Sequence, residues 1–322
     1  MQLPPALRQA VERELQGIPL SDLRRAADRL SRRYRSEARD GWFHLNDELA
    51  ARAYLVTRMP ATFAAISAGV HAVTGARPEF APRSILDVGT GPGTATWAAA
   101  MRCSTLRDAV LIEGSPPIRV VGARLAQELM LDRTVWLSAR LDDDLSDLTP
   151  RDLVVLAYVL DELAPKAREP LIELLWRLTS DTLLVVEPGT TEGWKRILQA
   201  RDQLLAAGAH VLAPCPHAGA CPLAPPDWCH FATRVARSRL HREVKGGTVP
   251  WEDEKFIYLA VSRHVPAQRL PRVLAPPHAT KADVTLKLCN VDGSVAERTV
   301  GKRDSDAFKA ARRLDWGDAL PS

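Results

Sequence analysis

The chain has 322 residues, 46% hydrophobic and 25% charged, with a formal net charge of +4. That balance excludes a disordered chain, a collagen-like fibre and a small disulfide scaffold, and it fits two domains or one enlarged domain. No uncharged apolar run approaches the ~18–20 residues that a bilayer span needs, and the first residues lack the charged-then-apolar order of a signal peptide. Among 43 basic residues only eight are Lys. Arg dominance fits a GC-rich genome, and Arg's planar fork also suits phosphate.

Residues 1–75 read as helical. Leu3, Leu7, Ala10, Val11 and Leu15 recur at helical spacing, and Ser21 is placed as the N-cap of a second helix through Leu23, Ala26, Ala27 and Leu30. A third helix is expected over Asn46 to Arg58, with Pro60 interrupting it or opening the next.

The pattern changes at Ser84. Ser84 to Val88, Val110 to Glu113, Asp152 to Tyr158 and Thr182 to Glu187 read as buried strands. Helices are expected from about Thr94, over Ile118–Met130, Arg168–Leu178 and Thr191–Ala207. Such alternation means βαβ units and a parallel sheet. Pro214 to Pro226 is too rich in Pro, Gly and Cys to be regular. Phe231 to His241 reads as a basic helix and Phe256 to Val261 as a core strand. Strand-like Val284–Leu288 and Val295–Val300 are joined by an Asp292-Gly293 turn. We expect helices over 1–75, an α/β domain over 76–263 with a Cys-rich insertion at 213–252, and a small β-containing segment over 264–322.

Asp87-Val-Gly89-Thr-Gly91-Pro-Gly93 lies after a strand and before a helix. Glycines there let backbone N–H groups approach a ligand. Glu113, at the end of the next strand, is the expected ribose partner. This glycine spacing resembles the first motif of class I S-adenosylmethionine methyltransferases rather than the dinucleotide form. After the fourth strand, Leu156 to Leu163 contains neither the Asn/Asp-Pro-Pro-aromatic motif nor a nucleophilic Cys. Asp161 and Glu162 are either bases or starters of the next helix. No catalytic residue is assigned.

Of five cysteines, Cys103 reads as packing. Cys215, Cys221 and Cys229 fall in a segment with no core of its own, which a metal can order. Zinc could use these three with His217 or His230, and a cluster would need a fourth thiolate, for which Cys289 is the candidate.

Leu30-Ser-Arg-Arg-Tyr34, Arg58-Met-Pro-Ala-Thr62, the 87–93 loop, Cys215-Pro-His, Cys221-Pro-Leu, Trp228-Cys-His-Phe231, Glu252-Asp-Glu-Lys-Phe256, Leu288-Cys289 and Trp316-Gly-Asp318 together resemble a known family. It is the bacterial and mitochondrial small-ribosomal-subunit family that includes yeast small-subunit mitochondrial protein twenty-two and human methyltransferase-like protein seventeen. The resemblance implies a class I methyltransferase fold binding S-adenosylmethionine through Asp87, Gly89, Gly91, Gly93 and Glu113. It implies a 4Fe–4S cluster on Cys215, Cys221, Cys229 and Cys289, with zinc as the alternative. It implies a role in assembly of the small ribosomal subunit, with 16S rRNA as partner.

Arg234, Arg237 and Arg242, beside the cysteines, are candidate RNA contacts. We expect a monomeric bacterial cytoplasmic protein without membrane contact. The alternatives are a methyltransferase on a non-ribosomal substrate and an rRNA-binding protein without turnover.

Overall fold

The computed structural model describes residues 1–35, 44–141, 143 and 145–320. Part of the expected N-terminal helical region, 36–43, and the last two residues of the C-terminal segment lie outside the described residues. Four helices open the chain: α1 (Pro5–Glu14), α2 (Leu20–Arg35), α3 (Glu48–Thr57) and α4 (Met59–Ala76). The Asp47 carboxylate caps α3 by accepting the Ala50 N–H at 2.7 Å. Pro60 sits in the first turn of α4, where its missing N–H is harmless. Ser21 is not the expected cap, because α2 already begins at Leu20 and the Pro19 carbonyl accepts the N–H groups of Asp22 and Leu23.

The main sheet contains β1 (Ser84–Val88), β2 (Asp108–Ile112), β3 (Arg133–Leu137), β4 (Arg151–Ala157), β5 (Thr179–Pro188), β6 (His210–Ala213), β7 (Phe231–Ala236) and β8 (Trp251–Ser262). Its order is β3-β2-β1-β4-β5-β8-β6, with β7 also paired to β8. Strands β1 to β5 are parallel, and β8 runs antiparallel to β5. Between them lie α5 (Thr94–Arg102), α6 (Pro116–Leu125), α7 (Pro165–Arg177), α8 (Thr191–Ala206) and α9 (Arg239–Lys245). This is the class I methyltransferase architecture. Leu153–Leu156 and Leu183–Val186 are buried throughout, as parallel strands covered on both faces must be. Helix α4 covers one face, and Gly69 lets it approach Leu184 closely.

The sequence reading missed β3, a half-exposed edge strand, and the four-residue β6. The helix expected over Phe231–His241 is instead strand β7 followed by α9. Here tertiary pairing decides: β7 matches the first half of β8 residue for residue, from Phe231 opposite Phe256 to Ala236 opposite Trp251.

The C-terminal segment forms β9 (Arg272–Val273), β10 (His278–Ala279), β11 (Asp283–Cys289), β12 (Val295–Gly301) and α10 (Ser305–Ala311). Its antiparallel sheet has a small core of its own, with Val284, Leu286, Leu288 and Phe308. Gly293 takes φ +86° in the β11–β12 turn. Among the described residues no helix is long and apolar enough to cross a membrane.

Candidate functional site

Ligands of open α/β sheets bind beyond the strand C-termini where the strand order reverses, here between β1 and β4. A cavity of about 500 Å³ lies there, a size that suits a small molecule. Asp87, Gly89, Thr90 and Gly91 of the 87–93 loop line it, whereas Gly93 packs towards Leu111 and Trp136. Gly89, Gly91 and Gly93 all have positive φ, at 63°, 55° and 85°. A Cβ on Gly89 would come within 2.6 Å of Val159, whereas one on Gly91 would meet nothing within 4 Å. The Gly91 backbone therefore borders open space. The Gly91 N–H donates to Glu113 Oε2 at 2.9 Å, and the Ser115 N–H donates to Oε1 at 2.7 Å. These bonds hold the carboxylate at the cavity wall and leave it lone pairs for hydroxyl donors. Burial pushes Glu113 up to about 7.

Asp87 also borders the cavity, but its Oδ2 accepts the backbone N–H and the hydroxyl of Thr96, each at 2.9 Å. It braces the start of α5 beneath the loop. The buried Thr94 hydroxyl, also on the cavity lining, has no partner. An unmatched buried hydroxyl and a carboxylate with spare acceptor capacity fit a ligand with hydroxyl groups.

The opposite wall was not read from the sequence as a site. Tyr34 from α2, Tyr54 from α3, Arg58 before α4 and Tyr158 after β4 meet there. Tyr158 has φ +58°, a strained value for a bulky residue. Its hydroxyl donates to Glu254 Oε1 at 2.9 Å. Arg58 lies 3.8 Å from the same carboxylate and 5.8 Å from the Tyr34 ring centre. The quoted segments 30–34, 58–62 and 252–256 thus converge, far apart as they are in sequence. Asp161 and Glu162 line the cavity. They do not start α7, which begins at Pro165 and has Ala164 as N-cap. Burial, then Asp161 and Glu113, push Glu162 up to about 8. Glu187 is fully buried, paired with Arg196 at 2.7 Å, and accepts the Leu160 N–H. It is a structural anchor.

Cys215, Cys221, Cys229 and Cys289 line one small cavity of about 30 Å³ beside α8. Burial raises the Cys229 thiol well above its usual range, and the three other cysteines raise it further. Burial pushes Cys289 up to about 12, with Cys215 and Cys221 adding to it. Cys289 Sγ lies 3.4 Å from His217 Nε2. His230 is instead stacked on Trp228 and meets the edge of Trp316. Cys103 does not line this pocket. Among the described residues no three of His, Cys, Asp and Glu are drawn together tightly enough for a metal ion. Thiolates around one zinc stand about 3.8 Å apart, given Zn–S near 2.3 Å, and a cluster holds them farther apart.

The three candidate RNA contacts do not form one free patch. Arg234 pairs with Asp253 through two bonds, at 2.9 and 3.0 Å, and stacks on Trp251. Arg237 pairs with Glu252 at 2.8 Å. Arg242 has a buried Nε without a partner.

A family model described as mitochondrial small ribosomal subunit Rsm22 matches residues 48–321. The human ribosome assembly protein METTL17, mitochondrial, is 29% identical over 286 residues, covering 83% of this chain and 62% of the human protein. The mitochondrial Rsm22-cox11 tandem protein 2 of Schizosaccharomyces pombe is 23% identical over 287 residues, covering 74% of this chain and 38% of its own. The chain thus spans less than two thirds of either relative. Among solved structures, magnesium protoporphyrin IX methyltransferase of Synechocystis PCC 6803 with bound SAM is 13% identical, covering 77% of this chain and 99% of its own, at TM-score 0.41. An O-methyltransferase family protein from Burkholderia thailandensis is 13% identical, covering 73% and 64%, at TM-score 0.43. The expectation of a bacterial cytoplasmic protein is corrected by the family match and both sequence relatives, whose descriptions are mitochondrial. That expectation rested on codon-driven composition and on the first few residues, and neither reports a compartment.

Proposed function

The chain belongs to the mitochondrial small ribosomal subunit Rsm22 family, and from that membership we propose an S-adenosylmethionine-binding factor that acts in assembly of the small ribosomal subunit by binding its rRNA. The observation that carries the cofactor reading is the Gly91 backbone, hydrogen-bonded to Glu113 and bordering open space on the wall of a ligand-sized cavity. Gly89, Gly91 and Gly93 would let the chain pass close beneath the methionine part. Glu113 would accept the ribose hydroxyls, and Asp87 would hold the loop against α5. The bound cofactor supplies an activated methyl group. If a methyl is transferred, Glu162 is the candidate base, because it faces the cavity and burial holds its proton affinity near neutral pH.

Cys215, Cys221, Cys229 and Cys289 would hold a 4Fe–4S cluster. An all-thiol donor set around one compact pocket supports a soft metal centre. The centre would tie β11 of the C-terminal sheet to the segment after β6.

Calorimetry with S-adenosylmethionine tests the cavity. Copurification with small ribosomal subunits tests the partner. A chain that binds the cofactor but never associates with small subunits would overturn the ribosomal part and favour a methyltransferase with another substrate.

A further inference from the structure

Helix α8 buries two arginines, and they are treated differently. Arg196 meets the buried Glu187 carboxylate at 2.7 Å. Arg201 is only 1% exposed, and among the described residues it forms no ion pair with a buried carboxylate. It pairs with Asp202, at 3.3 Å with a side chain 73% exposed. One terminal nitrogen donates to the carbonyls of His217 and Gly219, at 3.2 and 2.6 Å. The Arg201 Nε is buried without any partner. A fully buried guanidinium left in that state is strongly unfavourable unless negative charge faces it.

The missing anion has a place. Arg201 lines the small pocket with the four cysteines, and so does Arg272. Arg272 donates to the carbonyls of Pro214 and Gly317 and forms no ion pair among the described residues. Neutral thiols offer these two cations a weak acceptor, as Cys215 does to Arg201, but no negative charge. Four thiolates around a doubly positive centre, whether zinc or an oxidised 4Fe–4S core, keep two net negative charges. Two guanidiniums balance two negative charges.

We propose that Arg201, with Arg272 beside it, is the built-in counter-charge of the four-cysteine centre. This rests on the four-cysteine reading of the pocket. Both arginines are positioning residues: they hold backbone carbonyls of the 214–219 segment and neutralise the loaded centre without binding the metal. The pocket is thus electrostatically prepared for a dianion before metal arrives, and the metal-free chain carries the cost as a buried, unmatched charge.

The experiment compares the wild-type full chain, Arg201→Met, Arg201→Lys and Arg272→Met, purified without oxygen. Metal per chain and resistance to a chelator are measured first. Arg201→Met should hold its metal about 10–100-fold more weakly, the range for lost outer-shell partners. Arg201→Lys should restore most of that loss, and Arg272→Met should show a smaller one. A redox-active centre should also become harder to reduce in Arg201→Met, since a positive charge has left its surroundings.

Urea unfolding then separates this role from simple packing. With metal bound, Arg201→Met should unfold more easily than wild type. After chelation the order should reverse, because the substitution removes a charge that no longer has an anion. Equal metal retention in wild type and Arg201→Met, or destabilisation by Arg201→Met in the metal-free chain, would overturn the proposal. Wild-type chain that carries no metal would sink the four-cysteine reading itself, and the proposal with it. If Arg201→Met does not fold, Arg272→Met, at a partly exposed position, carries the same comparison.

Discussion

Two sites share strand β8. Glu254, near its start, holds Tyr158 at the wall of the large cavity, whereas Ile257, Tyr258 and Leu259 line the small pocket with the cysteines. The large cavity is about 500 Å³ and is lined by two left-handed glycines, Gly89 and Gly91. Its geometry is held by the chain's own hydrogen bonds, Gly91 to Glu113 and Thr96 to Asp87. The small pocket is about 30 Å³ and is held far less completely. Its buried thiols are pushed towards neutrality, while Arg201 Nε and His217 Nδ1 lack partners. The large cavity leaves only small hydroxyls such as that of Thr94 unmatched, whereas the small pocket leaves a buried guanidinium nitrogen and a ring nitrogen so. The difference teaches where binding and folding are coupled. Cofactor loss should leave the fold intact, and loss of the metal centre should not.

The largest effect expected from that contrast is at Cys289. Cys289→Ser should abolish the visible absorption of anaerobically purified protein and expose the C-terminal segment to protease. Cys103→Ser, at a buried position away from the pocket, should do neither. Colourless wild-type protein carrying one zinc per chain would replace the cluster with zinc. An intact chromophore in Cys289→Ser would remove that residue from the ligand set and point to His217.

Next in size is Gly91→Val. A β-branched residue at φ +55° costs about 1–2 kcal/mol, yet its Cβ meets no protein atom within 4 Å. The fold should therefore survive by circular dichroism, while cofactor affinity falls at least about tenfold by calorimetry. Unchanged affinity would show that no ligand approaches this backbone. Together the two variants sharpen the comparison, one acting on structure and the other on binding alone.

How much was legible follows the same division. The loop and Glu113 are a local motif: one strand, one turn, one helix start, then the next strand end. A contiguous pattern carries its own geometry, so position and residue type sufficed. The cysteines were countable, but only the fold shows Cys289 closing the pocket from β11. The Tyr34–Arg58–Tyr158–Glu254 wall has no local signature, because its members come from α2, the α3–α4 junction, β4 and β8. Their segments stood out only through family resemblance. Strand β7 was misread because Arg234 and Arg237 suggested a solvated helix, whereas pairing with β8 decides its conformation. Arg201 was invisible for a related reason. On α8 it sits among apolar and charged residues alike, and only burial marks it out.

A smaller effect is expected at Tyr158→Phe. The substitution removes a half-buried hydrogen bond to a carboxylate, worth about 1.5–3 kcal/mol, and leaves Arg58 3.8 Å from that carboxylate. Urea unfolding should report the loss, with cofactor affinity nearly unchanged. A large fall in affinity without loss of stability would move this hydroxyl from the scaffold to the ligand.

Smaller again is the pH dependence contributed by Glu113. Its proton affinity in the folded chain is raised from 4.5 to about 7, chiefly by burial. Below pH 4.5 the group is protonated folded and unfolded and contributes nothing. Between 4.5 and 7 the folded chain keeps a proton that the unfolded chain releases, so stability falls as pH rises. Above about 7 the full penalty is present. Glu113→Gln should flatten the decline of melting temperature across this window. Identical pH profiles of melting temperature in wild type and Glu113→Gln would refute the assignment of that buried charge.

The smallest effects belong to the outer edge of β7 and β8, and they bear on the RNA proposal. Arg234 and Arg237 are candidate phosphate contacts, yet each is already matched across the strand pair by Asp253 and Glu252. The exposed Arg234–Asp253 pair is worth under about 1 kcal/mol, so phosphate can compete for Arg234, whereas the Arg237–Glu252 pair is more buried and is held more firmly. The competition halves their usefulness, since an RNA that takes Arg234 must leave Asp253 unpaired beside a phosphate. Replacing Arg234, Arg237 and Arg242 together should therefore flatten the salt dependence of rRNA binding by less than three full phosphate contacts would. The reciprocal variant is more telling. Asp253→Asn keeps the shape of the strand edge and frees Arg234 from its carboxylate. It should tighten rRNA binding severalfold at low salt and steepen the salt slope, with folding stability changed by no more than about 0.5 kcal/mol. Binding unchanged in both variants would place the RNA surface elsewhere on the chain and leave these arginines as strand-edge ion pairs, which is the role their present contacts already fill.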